Sequence, residues 1–176
     1  TAMCSSLIAK KLGKRYIEEI FLLGLLHSLG QIVLLSNKET NKEYKKIVEL
    51  IKAQSIDFSK AEQEVLGFSH PLIGALVAKK WNFSAETCQV ILHYKDPLDS
   101  STPESELEQK TAIVQLADLI AHAAGVGNTE NYPIENEMIK TLGLYVGFDP
   151  KTLDAKVQEL IEETTTQFNN ERHVYE

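Results

Sequence analysis

The sequence predicts an all-α domain, an irregular multi-helix bundle whose helices differ in length and character. Apolar residues recur at three- and four-residue spacing in one segment after another, which is the pattern of amphipathic and buried helices. No segment shows the sustained two-residue alternation of a half-buried strand. With 176 residues, of which 43% are hydrophobic, the chain is long enough to bury a substantial core.

The N-terminal part of the chain is predicted to form four helices. The first covers residues 2–12 and stops at Gly13. A nearly unbroken apolar run over residues 16–35 predicts a buried helix and a second short helix, with the break between them at Gly30. Residues 42–54 combine an apolar stripe with Lys and Glu, which is typical of a helix that covers the core from outside.

Three helix-start signals follow. Ser59 and Glu62 have the spacing of a capping box and predict the start of the next helix. Pro71 fits the first turn of another helix, and Ser84 is the predicted cap of the one after it.

The C-terminal part begins with a loop over residues 96–105, which are rich in Pro, Ser and Asp. Residues 107–124 predict a central helix, because their apolar positions cover most of its surface. Two further helices are expected, one over residues 135–145 and one opened by Asp149 and Pro150. The chain beyond Thr164 is polar and expected to fray.

Domain organisation and compartment follow from length and cysteine usage. We expect one domain over residues 1–168 and a polar tail over residues 169–176. Cys4 and Cys88 are far apart and lack C-x-x-C spacing, which is typical of reduced thiols in the cytoplasm.

Charge and hydropathy exclude two classes of partner. The formal net charge is -7 and no basic run exceeds two residues, so we expect no nucleic-acid binding. The most apolar segment, residues 20–35, is interrupted by His27, Ser28 and Gln31 and falls short of the ~20 residues that a bilayer requires. We therefore expect no membrane span.

Four polar residues interrupt apolar helices or lie at their edges, namely His27, His70, His93 and Asp118. Imidazole and carboxylate groups are the side chains that hold zinc, iron or manganese. Taken singly, each of the four is more often a hydrogen-bonded polar group in the core than a metal ligand.

The neighbours of these residues resemble known motifs. Residues 24–31, GLLHSLGQ, resemble the G-L-L-H-D-I-G-K segment of the HD superfamily of metal-dependent phosphohydrolases. Residues 67–74, 91–94 and 117–121 resemble its later signatures, including a shared His-Pro pair and the closing L-A-D. The four segments occur in the family's order over about residues 9–127, with Trp81 and an Asp-Pro pair at familiar offsets. The chain most resembles the HDOD branch, an output module of bacterial signalling proteins.

The resemblance has implications for the site. It places His27, His70, His93 and Asp118 at metal-holding positions, with Ser28 in place of the aspartate that links two metals and Gln31 in place of the usual lysine. The family's first histidine has no match in residues 1–12. Relatives usually carry a further helical region upstream, so the chain resembles the C-terminal, HD-like part of a longer domain.

These departures weaken the case for hydrolysis. Two-metal catalysis needs a carboxylate that holds both ions ~3.5–4 Å apart, and the neutral hydroxyl of Ser28 is a poor bridge. The remaining three imidazoles and one carboxylate suffice for a single divalent ion, Mn, Fe or Zn, if they converge. The sequence therefore requires no cofactor, and we assign no catalytic residue.

Three functional hypotheses remain. The first is a non-catalytic regulatory HDOD-like domain that acts through a protein partner of a signalling pathway or a small ligand. The second is an HD-type phosphohydrolase of cyclic dinucleotides or nucleotides with a partial metal site. In the third, the polar residues form a buried hydrogen-bond network without metal. Of the other candidates, His122 is expected to face solvent rather than pair with Asp118, and neither His173 nor Cys88 fits a nucleophile.

Overall fold

The structure, a computed structural model, describes residues 1–126 and 136–171. Within these residues the chain forms ten α-helices and no strand, which confirms the all-α prediction. The helices are α1 (Ala2–Lys11), α2 (Ile17–Leu26), α3 (Leu29–Ser36), α4 (Lys38–Gln54), α5 (Phe58–Leu66), α6 (His70–Lys80), α7 (Ala85–His93), α8 (Glu106–Ala123), α9 (Asn136–Val146) and α10 (Leu153–Glu171).

The chain divides into two compact units. The first contains the described residues of Thr1–Gly24, Leu98–Thr129 and Ile134–Glu176, and the second those of Leu25–Pro97. The predicted single domain over residues 1–168 stays a prediction. Residues 172–176 of the predicted tail lie outside the described residues, while α10 continues through residues 169–171.

The second unit contains α3 to α7. Packing of α4 on α5 buries one apolar cluster around Tyr44, Ile47 and Ile51. A second cluster, around Ala78 and Ile91, lies where α6 packs on α7. The same unit also buries polar residues, namely Glu62 of α5, His70 of α6 and Thr87 of α7.

The predicted break at Gly30 is wrong. The chain turns at His27 and Ser28, and Gly30 lies inside α3. A Cβ atom at Gly30 would overlap the carbonyl oxygen of His70 and lie 2.6 Å from the nitrogen of Gly74. Glycine is therefore required here by the close approach of α3 to α6 and not by a turn.

Helix starts in this unit follow local capping chemistry. Ser84 caps α7 as predicted, since its Oγ accepts a hydrogen bond from the backbone N–H of Thr87 at 3.1 Å. The predicted capping box at Ser59 is wrong: α5 begins at Phe58, and the carboxylate of Asp57 accepts from the N–H of Lys60 at 3.0 Å. Glu62 is thus free of a capping role within its own helix.

The first unit is organised around α8. Every residue from 112 to 121 is buried, which confirms that this helix is central. Lys11 of α1 binds Glu159 and Glu163 of α10, at 2.8 and 2.9 Å. Helix α10 continues to Glu171, so the expected fraying directly after Thr164 is wrong. The predicted start of the preceding helix at residue 135 lies outside the described residues.

One segment of the described chain, Ile17–Ser36, is long and apolar enough by composition to cross a membrane, with a mean hydropathy of 1.7. It forms two helices, α2 and α3, interrupted by the turn at His27 and Ser28. One such segment is weak evidence, because the core helix of a soluble domain passes the same test. The residues that the structure describes therefore contain no clear membrane span.

Candidate functional site

A fully buried carboxylate lies at the centre of the second unit. Glu62 has no solvent-exposed area, and its Oε1 accepts a hydrogen bond from the Tyr44 hydroxyl at 2.5 Å. Its Oε2 accepts from the backbone N–H of His70 and lies 2.6 Å from Nδ1 of the same residue. Because the first N–H groups of a helix lack intrahelical acceptors, Glu62 of α5 caps α6.

His70 uses both ring nitrogens within the protein. Because a carboxylate oxygen only accepts, Nδ1 carries the proton that is shared with Glu62. The other nitrogen, Nε2, lies 2.6 Å from the hydroxyl of Tyr94, and in the neutral imidazole it accepts the tyrosine proton. Four side chains thus form one chain of hydrogen bonds, from Tyr44 through Glu62 and His70 to Tyr94.

The residues of this hydrogen-bond chain are buried, and burial changes the pKa of one of them. His70 is 2% exposed and Tyr94 is 1% exposed. Burial, followed by the hydrogen bond to Glu62 and the charge of its carboxylate, raises the pKa of Tyr44 far above its usual value. The Tyr44 hydroxyl therefore stays protonated at neutral pH and donates to the carboxylate.

His27, in the turn between α2 and α3, also packs against the ring of Tyr94. The two rings meet edge to face, with centroids 5.2 Å apart and an interplanar angle of 86°. The ammonium of Lys95 lies 5.2 Å from the centroid of the Tyr94 ring. The structure therefore brings two of the predicted histidines, His27 and His70, against one tyrosine.

His93, unlike His70, lies at the surface. Its side chain is 45% exposed, and its Nδ1 lies 2.6 Å from Oδ2 of Asp96. Ser28, in place of the bridging aspartate, is the N-cap residue of α3 and its side chain makes no capping hydrogen bond. Gln31, in place of the family lysine, lies in the first turn of the same helix and is half-buried.

Asp118 belongs to the first unit, on α8. It is 6% exposed and accepts a hydrogen bond from the Thr1 hydroxyl at 3.3 Å. Nε2 of His122, one helical turn later, lies 3.7 Å from the same oxygen with only 17% of that side chain exposed. The expectation that His122 faces solvent is therefore wrong. The grouping of Asp118 with the three histidines remains a prediction.

The donor set does not fit a bound metal as it stands. In the part of the chain that the structure describes, no three His, Cys, Asp or Glu side chains are grouped as metal ligands. His70 offers no ring nitrogen to an ion, because Glu62 and Tyr94 occupy both. The assignments of the four candidate ligands therefore stay predictions, and no catalytic step is derived through a metal.

The sequence comparison decides the family. The HDOD domain model matches residues 1–97, more than half of the 176 residues. The chain belongs to the HDOD domain family. The match includes His27, His70 and His93 and ends before Asp118. No curated protein matches this HDOD chain.

Two solved structures share the fold. An HDOD domain protein of unknown function from Geobacter sulfurreducens is 25% identical, with a TM-score of 0.70 over 94% of this chain and 57% of its own. A Shewanella amazonensis SB2B protein described as "Putative phosphohydrolase" is 24% identical, with a TM-score of 0.62 over 94% of this chain and 60% of its own. The second likeness shows the fold alone. This HDOD chain spans about three fifths of the length of both.

Glu62 and Tyr94 were not predicted as site residues. A helical signal was nevertheless present in both cases. Glu62 shares a helix face with Val65 and Leu66, and Tyr94 follows the buried Ile91 at the same spacing. A polar side chain on the apolar face of a helix indicates a buried hydrogen bond, although its partner cannot be read from the sequence.

Proposed function

We propose that this HDOD domain is a non-catalytic regulatory module that acts in bacterial signal transduction by binding a protein partner or a small ligand. The supporting observation is the closed chain of hydrogen bonds from Tyr44 to Tyr94. Each polar group in it has a protein partner, so none is left to hold an ion or to activate a water molecule.

The replacement at Ser28 supports the same proposal. Two-metal hydrolysis needs an anionic oxygen between the ions, and a serine hydroxyl carries no charge at neutral pH.

The position of His70 also supports the proposal. His70 is buried, and its hydrogen bonds join three helices, which is a structural role.

The exposed face of α6 supports a binding role. Leu72 and Leu76, four residues apart on α6, are 41% and 55% exposed, Trp81 directly after the helix is 59% exposed, and Lys79 and Lys80 lie in the last turn. Apolar side chains at helical spacing on a surface are typical of contact with a partner.

One observation favours the alternative, an HD-type phosphohydrolase that acts on cyclic dinucleotides or nucleotides. Nδ1 of His70 and Nδ1 of His93 each contact a carboxylate, of Glu62 and of Asp96. This arrangement is typical of metal-binding histidines, whose other nitrogen holds the ion, although at His70 that nitrogen already lies 2.6 Å from the Tyr94 hydroxyl.

A hydrolysis assay separates the two. Purified protein is incubated with cyclic dinucleotides, nucleotides and a generic phosphodiester in the presence of Mn²⁺, Fe²⁺ or Zn²⁺. We expect no turnover above a metal-only control, and the same background for His93→Ala. Turnover that depends on metal and disappears in His93→Ala would refute the proposal and establish the phosphohydrolase.

A further inference from the structure

Helix α2 has an exposed apolar face with an acid at its N-terminal end. The buried residues of the helix all lie on one side, namely Ile20, Leu23 and Gly24. The opposite side presents Phe21, Leu22 and Leu25, which are 41%, 41% and 58% exposed. The exposed Glu18 lies on the same side in the first turn. These four residues are called the α2 face.

Helix α6 has an exposed face of the opposite charge. Leu72 and Leu76 are 41% and 55% exposed. Lys79 and Lys80 lie on the same side of the helix, in its last turn, and both are exposed. Trp81 follows directly and is 59% exposed. The helix contains no Asp or Glu, so these five residues, the α6 face, are apolar with a positive C-terminal end.

The two faces match when the helices run antiparallel. On α2, Glu18 and Leu25 are seven residues apart. On α6, Leu72 and Lys79 have the same separation. Each pair spans about 10.5 Å at the helical rise of 1.5 Å per residue. With Leu25 opposite Leu72, the acid of α2 therefore lies opposite the first lysine of α6, and the other apolar side chains meet between them.

We propose that the α2 face of one copy docks antiparallel on the α6 face of a second copy, so that the domain associates with itself. The acid of this contact is Glu18, because the carboxylate of Glu19 already binds Lys110 at 2.9 Å. The inference rests on the proposed function, since it names a partner for the α6 surface on which that function draws.

Charge complementarity favours a second copy over other occupants. A partner for α6 must bring apolar side chains and an acid, and the α2 face brings both at the required spacing. An anionic membrane would attract Lys79 and Lys80 but repel Glu18 and the rest of a chain with a net charge of -7. Two helices in contact over about two turns bury less than ~1,200 Å², so we expect a Kd on the order of 10–100 μM.

Sedimentation velocity from about 1 to 300 μM covers the expected affinity. Glu18→Lys and the double variant Lys79→Glu/Lys80→Glu should each weaken the association about tenfold, because each places like charges opposite each other. A 1:1 mixture of the two should associate as tightly as the wild type. In the mixture, the new lysine of one variant meets the new glutamates of the other, and the unchanged acid and lysines meet in the reciprocal contact.

Matched controls carry the same charge changes on exposed residues of α4. These are Glu49→Lys and Lys45→Glu/Lys46→Glu, and both should associate as the wild type does. Leu76→Gln tests the apolar part and should weaken the association about tenfold. Ile32→Gln on α3, at a residue that is 59% exposed but outside both faces, should not. All these side chains are exposed, and circular dichroism checks that each variant is folded.

The proposal is overturned if the wild type stays monomeric over the whole concentration range, if the mixture associates no better than each variant alone, or if Leu76→Gln has no effect. A monomeric wild type that cosediments with phosphatidylserine vesicles would instead assign the α6 face to a membrane. The activity assay fails separately: metal-dependent turnover would refute the proposed function and leave the self-association intact, whereas a monomer without turnover would refute only the docking of a second copy.

Discussion

Gly30→Ala should destabilise the domain, although alanine is the better helix former. Gly30 lies in α3, where it faces the start of α6. A methyl group there would overlap the backbone carbonyl of His70 and lie 2.6 Å from the backbone nitrogen of Gly74. Backbone atoms cannot rotate away as a side chain does, so the two helices must move apart.

The magnitude follows from two opposing effects. In an ordinary helix interior, replacing glycine with alanine stabilises the fold by about 0.5–1 kcal/mol. Forcing an extra carbon into a packed interface costs about 1–3 kcal/mol, and contact with backbone at Gly30 places this site at the upper end. The net loss is about 2 kcal/mol, which lowers Tm by roughly 4–8 °C in a chain of this size.

The assay is thermal unfolding followed by circular dichroism, with Gly143→Ala in α9 as the matched control. There the new methyl would meet Leu153 Cδ1 at 2.6 Å, the end of a flexible side chain that can change rotamer. We expect a Tm change for Gly143→Ala that is less than half as large. A Gly30→Ala protein as stable as the wild type would show that α3 and α6 do not approach as closely as the structure indicates.

Three further predictions concern charged and buried groups. Glu62→Gln should lower the free energy of unfolding by about 1–3 kcal/mol, measured with urea, since it turns an acceptor into a donor; Glu64→Gln, exposed on the same helix, should have no effect. The hydrogen bond from Lys11 lowers the pKa of Glu159 to about 2, below its usual 4.5. The ionised Glu159 therefore stabilises the fold above about pH 4.5, and this contribution is lost as the pH falls toward 2. Lys11→Met should lower Tm at pH 7 but not at pH 2. An NMR titration of the variant should show a higher pKa for Glu159. Burial raises the pKa of Tyr44, so the contribution of its hydroxyl to stability is present below about pH 10 and is lost as the pH rises above that value. An ultraviolet titration should show that Tyr44 ionises only when the domain unfolds. Tyr44→Phe should remove the absorbance change that is due to this ionisation.

Periodicity was sufficient to predict the helices, because it depends on which residues of one segment face the core. Helix α8 is the clearest case, since its apolar positions surround it and the structure buries ten consecutive residues. Ser84 was likewise predictable, as its capping bond reaches only three residues along the chain. Contacts within one segment are those that a sequence specifies directly.

Contacts between segments explain the errors. Gly30 is typical of a turn until α6, forty residues later, approaches its backbone. Glu62 has the spacing of a capping box, but it accepts hydrogen bonds from another helix. The histidines were identified as polar interruptions of apolar helices, and His70 is indeed buried. Its partners could not be predicted, because hydrogen bonds over 8 and 24 residues depend on how α5, α6 and α7 pack.

The hydrogen bonds of the polar centre determine what a metal ion would have to displace. Glu62 takes three donors on its two oxygens, and His70 uses both ring nitrogens. An ion could enter only by displacing the Tyr94 hydroxyl, which is buried and would then lose its acceptor. The loss of this hydrogen bond would make the binding of the ion less favourable. Ser28 is neutral and provides no anionic oxygen that would offset the loss. Both departures act in the same direction, since each lowers the affinity of this centre for a metal ion.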